Sequence, residues 1–141
     1  MKIYFAASIR GGRADQEKYN RLIHFLSSKV KVLTEHVGDA SIGEKGEKDL
    51  DEQEIHQRDL AWLSASDAVV AEVTTPSLGV GYELGIAEKL NKPVLCLYEN
   101  TIKDRKLSAM ISGNSKFRTF HYQDLDQAKK EIVFFIESIS L

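Results

Sequence analysis

The run Ala68-Val-Val-Ala-Glu-Val73, followed at once by Thr74-Thr-Pro-Ser-Leu-Gly-Val-Gly-Tyr-Glu-Leu-Gly85, decides the fold. Its first part is apolar almost without a break, the pattern of a strand covered on both faces. Its second part is rich in small and hydroxyl-bearing residues and leads into a helix over 80–90. Toward the C-terminus, 93–98 reads as another continuous apolar strand, 107–111 as one helical turn, 117–122 as a fifth strand and 125–139 as a closing amphipathic helix. Toward the N-terminus, 2–7 reads as a strand ended by a glycine-containing loop. The helix over 14–28 that follows carries Tyr19, Leu22, Ile23 and Leu26 at i, i+3, i+4 and i+7. A short strand over 30–33, a polar surface loop over 36–51 and a helix over about 50–64 with apolar Ile55, Leu60, Trp62 and Leu63 complete the alternation. These elements make an α/β, single-domain, doubly wound five-stranded parallel sheet with helices on both faces, spanning 1–141. Ligands of such sheets bind beyond the carboxyl ends of the strands, here the loops 8–13, 74–81 and 99–107.

Composition narrows the classes. The 141 residues are 43% apolar and 28% charged, which excludes disorder and coiled coil and leaves enough core to fold without disulfide or metal. Nineteen basic against 21 acidic residues give a net charge of -2, so no basic field exists to coat a nucleic-acid polymer. A local basic site for a small anion stays open. The first apolar stretch is too short for a signal sequence, and no run has the length of a membrane span. The single cysteine, Cys96, excludes a disulfide framework and any CxxC motif, and its apolar surroundings suit a buried, inert thiol. His24, His36, His56 and His121 show no metal-ligand spacing, so no metal and no cofactor is expected. The expected location is the cytoplasm, with the nucleus also open.

Five places could carry chemistry. In Ser8-Ile-Arg-Gly-Gly-Arg13 two glycines permit exposed amides, arginine offers a fork for phosphate, and a helix N-terminus stands behind. The same loop would serve as a solvated turn. Glu83 falls in about the first turn of its helix among Gly79, Gly81 and Gly85. There the helix dipole would keep it ionised, which suits a nucleophile, although acidic residues also cap helix starts. The three glycines weaken that helix, and close approach of a ligand or a neighbouring backbone would account for them. Asp59 shares the inward stripe with Ile55 and Leu63, where burial would raise its pKa and favour a proton donor unless an arginine pairs with it. Tyr4 on the first strand reads equally as core filler. Ser108 stands where a helix cap is the ordinary role.

Taken in order, IYF-x-x-SIRGGR at 3–13, VLTEHV at 32–37, DLAWL at 59–63, DAVVAEVTTPSLGVGYELG at 67–85 and LSAMI at 107–111 resemble the nucleoside 2-deoxyribosyltransferase superfamily. They are closely similar to its branch of 2'-deoxynucleoside 5'-monophosphate N-glycosidases. The resemblance implies that Glu83 attacks the anomeric carbon of the deoxyribose, that Tyr4 positions Glu83 and crowds the sugar's 2' position, and that Asp59 assists departure of the base. It implies that Ser8, Ile9, Arg10, Gly11 and Gly12, with Ser77 and Gly79, hold the 5'-phosphate of a small deoxynucleotide. It also implies a homodimer in which Ser108 reaches the neighbouring subunit's site. One departure is Ala6-Ala7 where many members have Cys-Gly, which bears on the base or sugar pocket. A deoxyribosyltransferase, a ribonucleotide N-glycosidase acting on cytidine monophosphate and a non-catalytic nucleotide-binding module are the competing readings. Retention of Tyr4, Asp59 and Glu83 together weighs against the last.

Overall fold

The computed structural model describes residues 1–9, 13–34, 50–100 and 105–140. The strands are β1 (Lys2–Ala7), β2 (Lys31–Val32), β3 (Ala68–Glu72), β4 (Val94–Glu99) and β5 (Phe117–Tyr122). The helices are α1 (Arg13–Ser27), α2 (Glu52–Ala65), α3 (Leu78–Lys89), α4 (Ala109–Ser112) and α5 (Leu125–Ile139). The strands form one parallel sheet in the order β2-β1-β3-β4-β5. From β1 the chain steps outward to β2, then returns and proceeds the other way from β3. The crevice that this reversal opens lies above the carboxyl ends of β1 and β3, where Ala7 stands opposite Glu72.

Side-chain alternation along the strands builds two cores. Ile3, Phe5, Val70, Leu95 and Leu97 pack with Tyr19, Leu22 and Leu26 of α1 and Ile132 and Phe135 of α5. Tyr4, Ala6, Val69, Ala71 and Cys96 face the other way, against Leu63 of α2 and Val80, Leu84 and Ala87 of α3. The four apolar positions read for the first helix are all buried, and burial pushes the Cys96 thiol up to about 12, as an inert core thiol requires.

Local chemistry sets the helix ends. Ser77 caps α3, its Oγ accepting from Val80 N at 3.2 Å. At the other end Asn91 adopts a left-handed φ of 55°. Lys92 N donates to Ala87 O and Asn91 N to Glu88 O, both at 3.0 Å, the double closure of a Schellman end, and Pro93 follows. Asp51 caps α2, its carboxylate accepting from Glu54 N at 2.7 Å, so this helix starts at Glu52 rather than at 50. Of the segment read as a polar surface loop, residues 36–49 lie outside the described residues. Among the described residues no helix is long and apolar enough to cross a membrane.

Candidate active site

Tyr4 lies on β1 with its side chain almost wholly buried on the α2/α3 face, and its hydroxyl donates a short hydrogen bond to Glu83 Oε2. The tyrosine is therefore no mere core filler: the one polar atom of a buried ring is spent on a carboxylate 79 positions away in sequence. Glu83 corrects the sequence reading in two respects. Because the serine cap sets the start of α3 at Leu78, Glu83 is the sixth helical residue and not a first-turn residue. Burial, not the dipole, governs its protonation and pushes the carboxyl up to about 7. The Tyr4 hydroxyl favours the ionised form by hydrogen bonding to it. A half-buried carboxylate that titrates near neutrality, aimed by one tyrosine at the mouth of a doubly wound sheet, is a nucleophile or base with its proton easily removed.

Asp59 also departs from expectation. It is neither deeply buried nor unpaired: its side chain is 24% exposed, and Arg58 donates from Nε at 3.1 Å and Nη2 at 2.9 Å to its Oδ1. The reason is that α2 packs fully on the sheet only at Leu63. Ile55, Leu60 and Trp62 are half-buried, so the stripe that includes Asp59 is only partly covered. The Arg58 guanidinium lies 4.7 Å from the centre of the Trp62 ring, which holds the fork in place. One turn before Asp59, His56 Nε2 meets Tyr82 Oη at 3.5 Å, so α2 touches α3 beside Glu83.

The nucleoside 2-deoxyribosyltransferase profile matches residues 3–122. The chain belongs to that family. It is 53% identical over 126 residues to the 5-hydroxymethyl-dUMP N-hydrolase of Mus musculus, covering 86% of this chain and 72% of that protein. With the 5-hydroxymethyl-dUMP N-hydrolase of Tetraodon nigroviridis it shares 51% over 134 residues and 94% of each chain. Among solved structures, the CMP N-glycosidase of Clostridium botulinum superposes with a TM-score of 0.66 over 94% of this chain and 98% of that one, at 17% identity, a likeness of fold.

The other family positions are distributed around the same crevice. Ser8 is buried at the exit of β1, and Ile9 packs its side chain into the α1/α5 core. Arg10, Gly11 and Gly12 lie outside the described residues. Ser77 is half-buried and Gly79 exposed at the start of α3.

Ser108 is exposed and caps α4, its Oγ accepting from Met110 N at 3.3 Å. It borders a groove of about 480 Å³ together with Ser77, Leu78, Gly81, Gly85 and Ile111. Leu78, Gly81 and Gly85 recur at helical spacing along one flank of α3, and Glu83 falls on the opposite flank. A β-carbon added at Gly81 or Gly85 would meet nothing within 4 Å, so among the described residues no neighbouring backbone approaches them, contrary to one of the two explanations expected for these glycines.

The sequence reading passed over Arg58, His56 and Tyr82, and also a buried polar cluster under the β3–α3 loop. The signal for that cluster was present: Glu72 interrupts an otherwise apolar strand, and Lys18 shares a face with Leu22 and Leu26. Among the described residues no three His, Cys, Asp or Glu side chains are gathered as a metal ion would need.

Proposed function

We propose that this chain hydrolyses the N-glycosidic bond of 2'-deoxynucleoside 5'-monophosphates, releasing a free base and 2-deoxyribose 5-phosphate. The observation that carries the reading is the Tyr4–Glu83 pair at the crevice, in a family member half identical to deoxynucleotide N-hydrolases. In the first step a Glu83 carboxylate oxygen bonds to the anomeric carbon. The carbon–nitrogen bond breaks, and its electron pair leaves with the base, which takes up a proton from water. In the second step water attacks the same carbon and its proton departs, the ester bond to Glu83 breaks, and the carboxylate is regenerated. The absence of a 2'-hydroxyl favours the positive charge that develops on the sugar, and the Tyr4 ring beneath the site leaves little room for that hydroxyl. Asp59, held by Arg58, assists at the departing base as a fixed charge and hydrogen-bond acceptor. The exposed ion pair gives no ground for the burial-driven proton donor expected from the helix stripe.

The 5'-phosphate is held by the Arg10 guanidinium and by backbone amides and hydroxyls of Ser8, Ile9, Gly11, Gly12, Ser77 and Gly79. A second copy of the chain supplies Ser108. Support for this comes from Ser108 and Glu83 lying toward opposite flanks of α3, and from the exposed Leu78, 96% accessible, and Met110, 82% accessible, beside the groove. A location in the cytoplasm fits a free nucleotide substrate.

Chromatography of free bases after incubation with each common deoxynucleoside monophosphate tests the reaction. Base release that is faster from the monophosphate than from the deoxynucleoside is expected. Arg10→Ala should lower the affinity for nucleotide by about tenfold to a hundredfold, the worth of a charge-assisted phosphate contact. Sugar transfer to an added free base would assign a transferase instead, and preference for cytidine monophosphate a ribonucleotide glycosidase.

A further inference from the structure

Beneath the β3–α3 loop lies a polar cluster that the reaction as described does not use. Glu72 ends β3 with its side chain wholly buried on the α1/α5 face. Its Oε1 accepts from Thr74 N at 2.7 Å, and its Oε2 accepts from Tyr122 Oη at 2.6 Å and from Lys18 Nζ at 2.7 Å. The Lys18 ammonium also reaches Glu99 at 3.3 Å and Asp15 at 3.9 Å. Two more bonds grip the loop itself: Glu99 N donates to Thr74 Oγ1 at 2.8 Å, and Thr75 Oγ1 donates to Asp15 Oδ2 at 2.7 Å.

Burying ions in this way costs desolvation that an apolar trio of the same volume would avoid. Burial works against the Lys18 charge, and the three carboxylates around it outweigh that cost, holding its pKa above the ordinary value. The lysine is thus committed to carboxylates and is no phosphate ligand. What the cluster does achieve is geometric. Asp15 and Lys18 belong to the start of α1, directly behind the loop 10–12. Thr74 and Thr75 stand three and two positions before Ser77, the cap that orients α3 and with it Glu83. The β3–α3 loop and the start of α1 are therefore tied to one buried carboxylate, the first through Thr74 and the second through Lys18.

We propose that Glu72, with Lys18, Asp15 and Tyr122, is a positioning centre for phosphate recognition. It fixes Thr74 and Thr75 against Asp15 and Lys18 so that the starts of α3 and α1 stand at one spacing beside the nucleotide's 5'-phosphate. This rests on the phosphate-binding reading given above.

The test compares calorimetric affinities of folded variants for a deoxynucleoside monophosphate and for the deoxynucleoside without phosphate. Thr75→Val removes the bond to Asp15 at a half-buried site with little change of shape, whereas Thr75→Ser keeps the hydroxyl. Glu72→Gln keeps an acceptor for Thr74 but removes the charge that Lys18 faces. Thr75→Val keeps the test decisive if Glu72→Gln does not fold. Thr75→Val is expected to weaken monophosphate binding by about tenfold, the loss that follows from one misplaced hydrogen bond. Deoxynucleoside binding should stay within about twofold, and Thr75→Ser should restore the wild-type ratio. Equal weakening toward both ligands, or none toward either, would overturn the positioning role while leaving the reaction intact. A wild-type protein that binds both ligands alike would instead overturn the phosphate pocket itself, and the positioning role with it.

Discussion

At the scale of single residues, the proposed nucleophile Glu83 stands under two opposed influences, burial that favours its neutral form and the Tyr4 hydroxyl that favours its ionised form. Glu83→Gln keeps the shape and loses the nucleophile, so base release should fall by at least about a thousandfold while nucleotide binding persists. Chromatography of the products and calorimetric titration of the same preparation check both halves. The protonation state makes a separate prediction. With the carboxyl near 7 in the folded protein, kcat/KM should rise with pH up to that value and level off above it, since only the ionised form attacks. Tyr4→Phe should move this limb to higher pH, whereas titration of the substrate phosphate, near about 6, would not respond to Tyr4. Stability runs the other way. The folded carboxyl holds its proton more tightly than the unfolded one. The contribution is therefore fully present below the ordinary value of 4.5 and is lost as pH rises through about 7. Denaturant midpoints of wild type and Glu83→Gln should accordingly converge near about pH 4 and separate above about pH 8, with the variant the more stable.

At the scale of elements, the helices are specified by their ends as much as by their stripes. Asp124 caps α5 by accepting from Gln127 N at 2.9 Å, and Gln127 Oε1 accepts in return from Gln123 N at 2.8 Å. This reciprocal arrangement follows the edge strand β5, two strands away from β3 and the crevice. Asp124→Ala should cost about 1 kcal/mol of unfolding free energy and leave kcat and KM unchanged, as denaturant titration and steady-state assays would report. The elements also explain which sequence expectations held. Helix 125–139 and strand 117–122 match the structure residue for residue, because a serine- and aspartate-type cap and a continuous apolar stripe both announce themselves locally. The start of α3 was misplaced by two residues because Gly79 and Gly81 argue against helix, whereas the Ser77 cap and the packing of Val80 and Leu84 decide for it.

At the scale of the whole molecule, the open flank of α3 and the exposed cap of α4 give the proposed pairing of two copies its test. Chains carrying Glu83→Gln are mixed with chains carrying Ser108→Trp, each inactive alone. In the mixed dimer one site keeps its own Glu83 and receives an intact Ser108, so part of the activity should return once subunits exchange. Absence of recovery despite demonstrated exchange would confine Ser108 to capping its own helix. Substrate that bridges both chains should also favour the dimer, which sedimentation with and without nucleotide would register.

The sequence by itself determined the layered α/β fold, the parallel sheet and its five strands, because these follow from the period of apolar residues and from turn chemistry, both local properties. It also singled out Tyr4 and Glu83 as separate candidates. The family resemblance implied that Tyr4 positions Glu83, and the tertiary structure supplies the contact, since the pairing of β1 with β3 and the packing of α3 on the Tyr4 face bring together groups far apart in the chain. The tertiary structure likewise set how far each of the two carboxylates is covered. A helix stripe records which residues share a face but not how far the neighbouring sheet extends beneath them. Glu83 is therefore covered and titrates near neutrality, while Asp59 reaches solvent and Arg58. The same limit hid Glu72 and Lys18, two ordinary surface residue types whose burial becomes affordable only when each faces the other across the closed core.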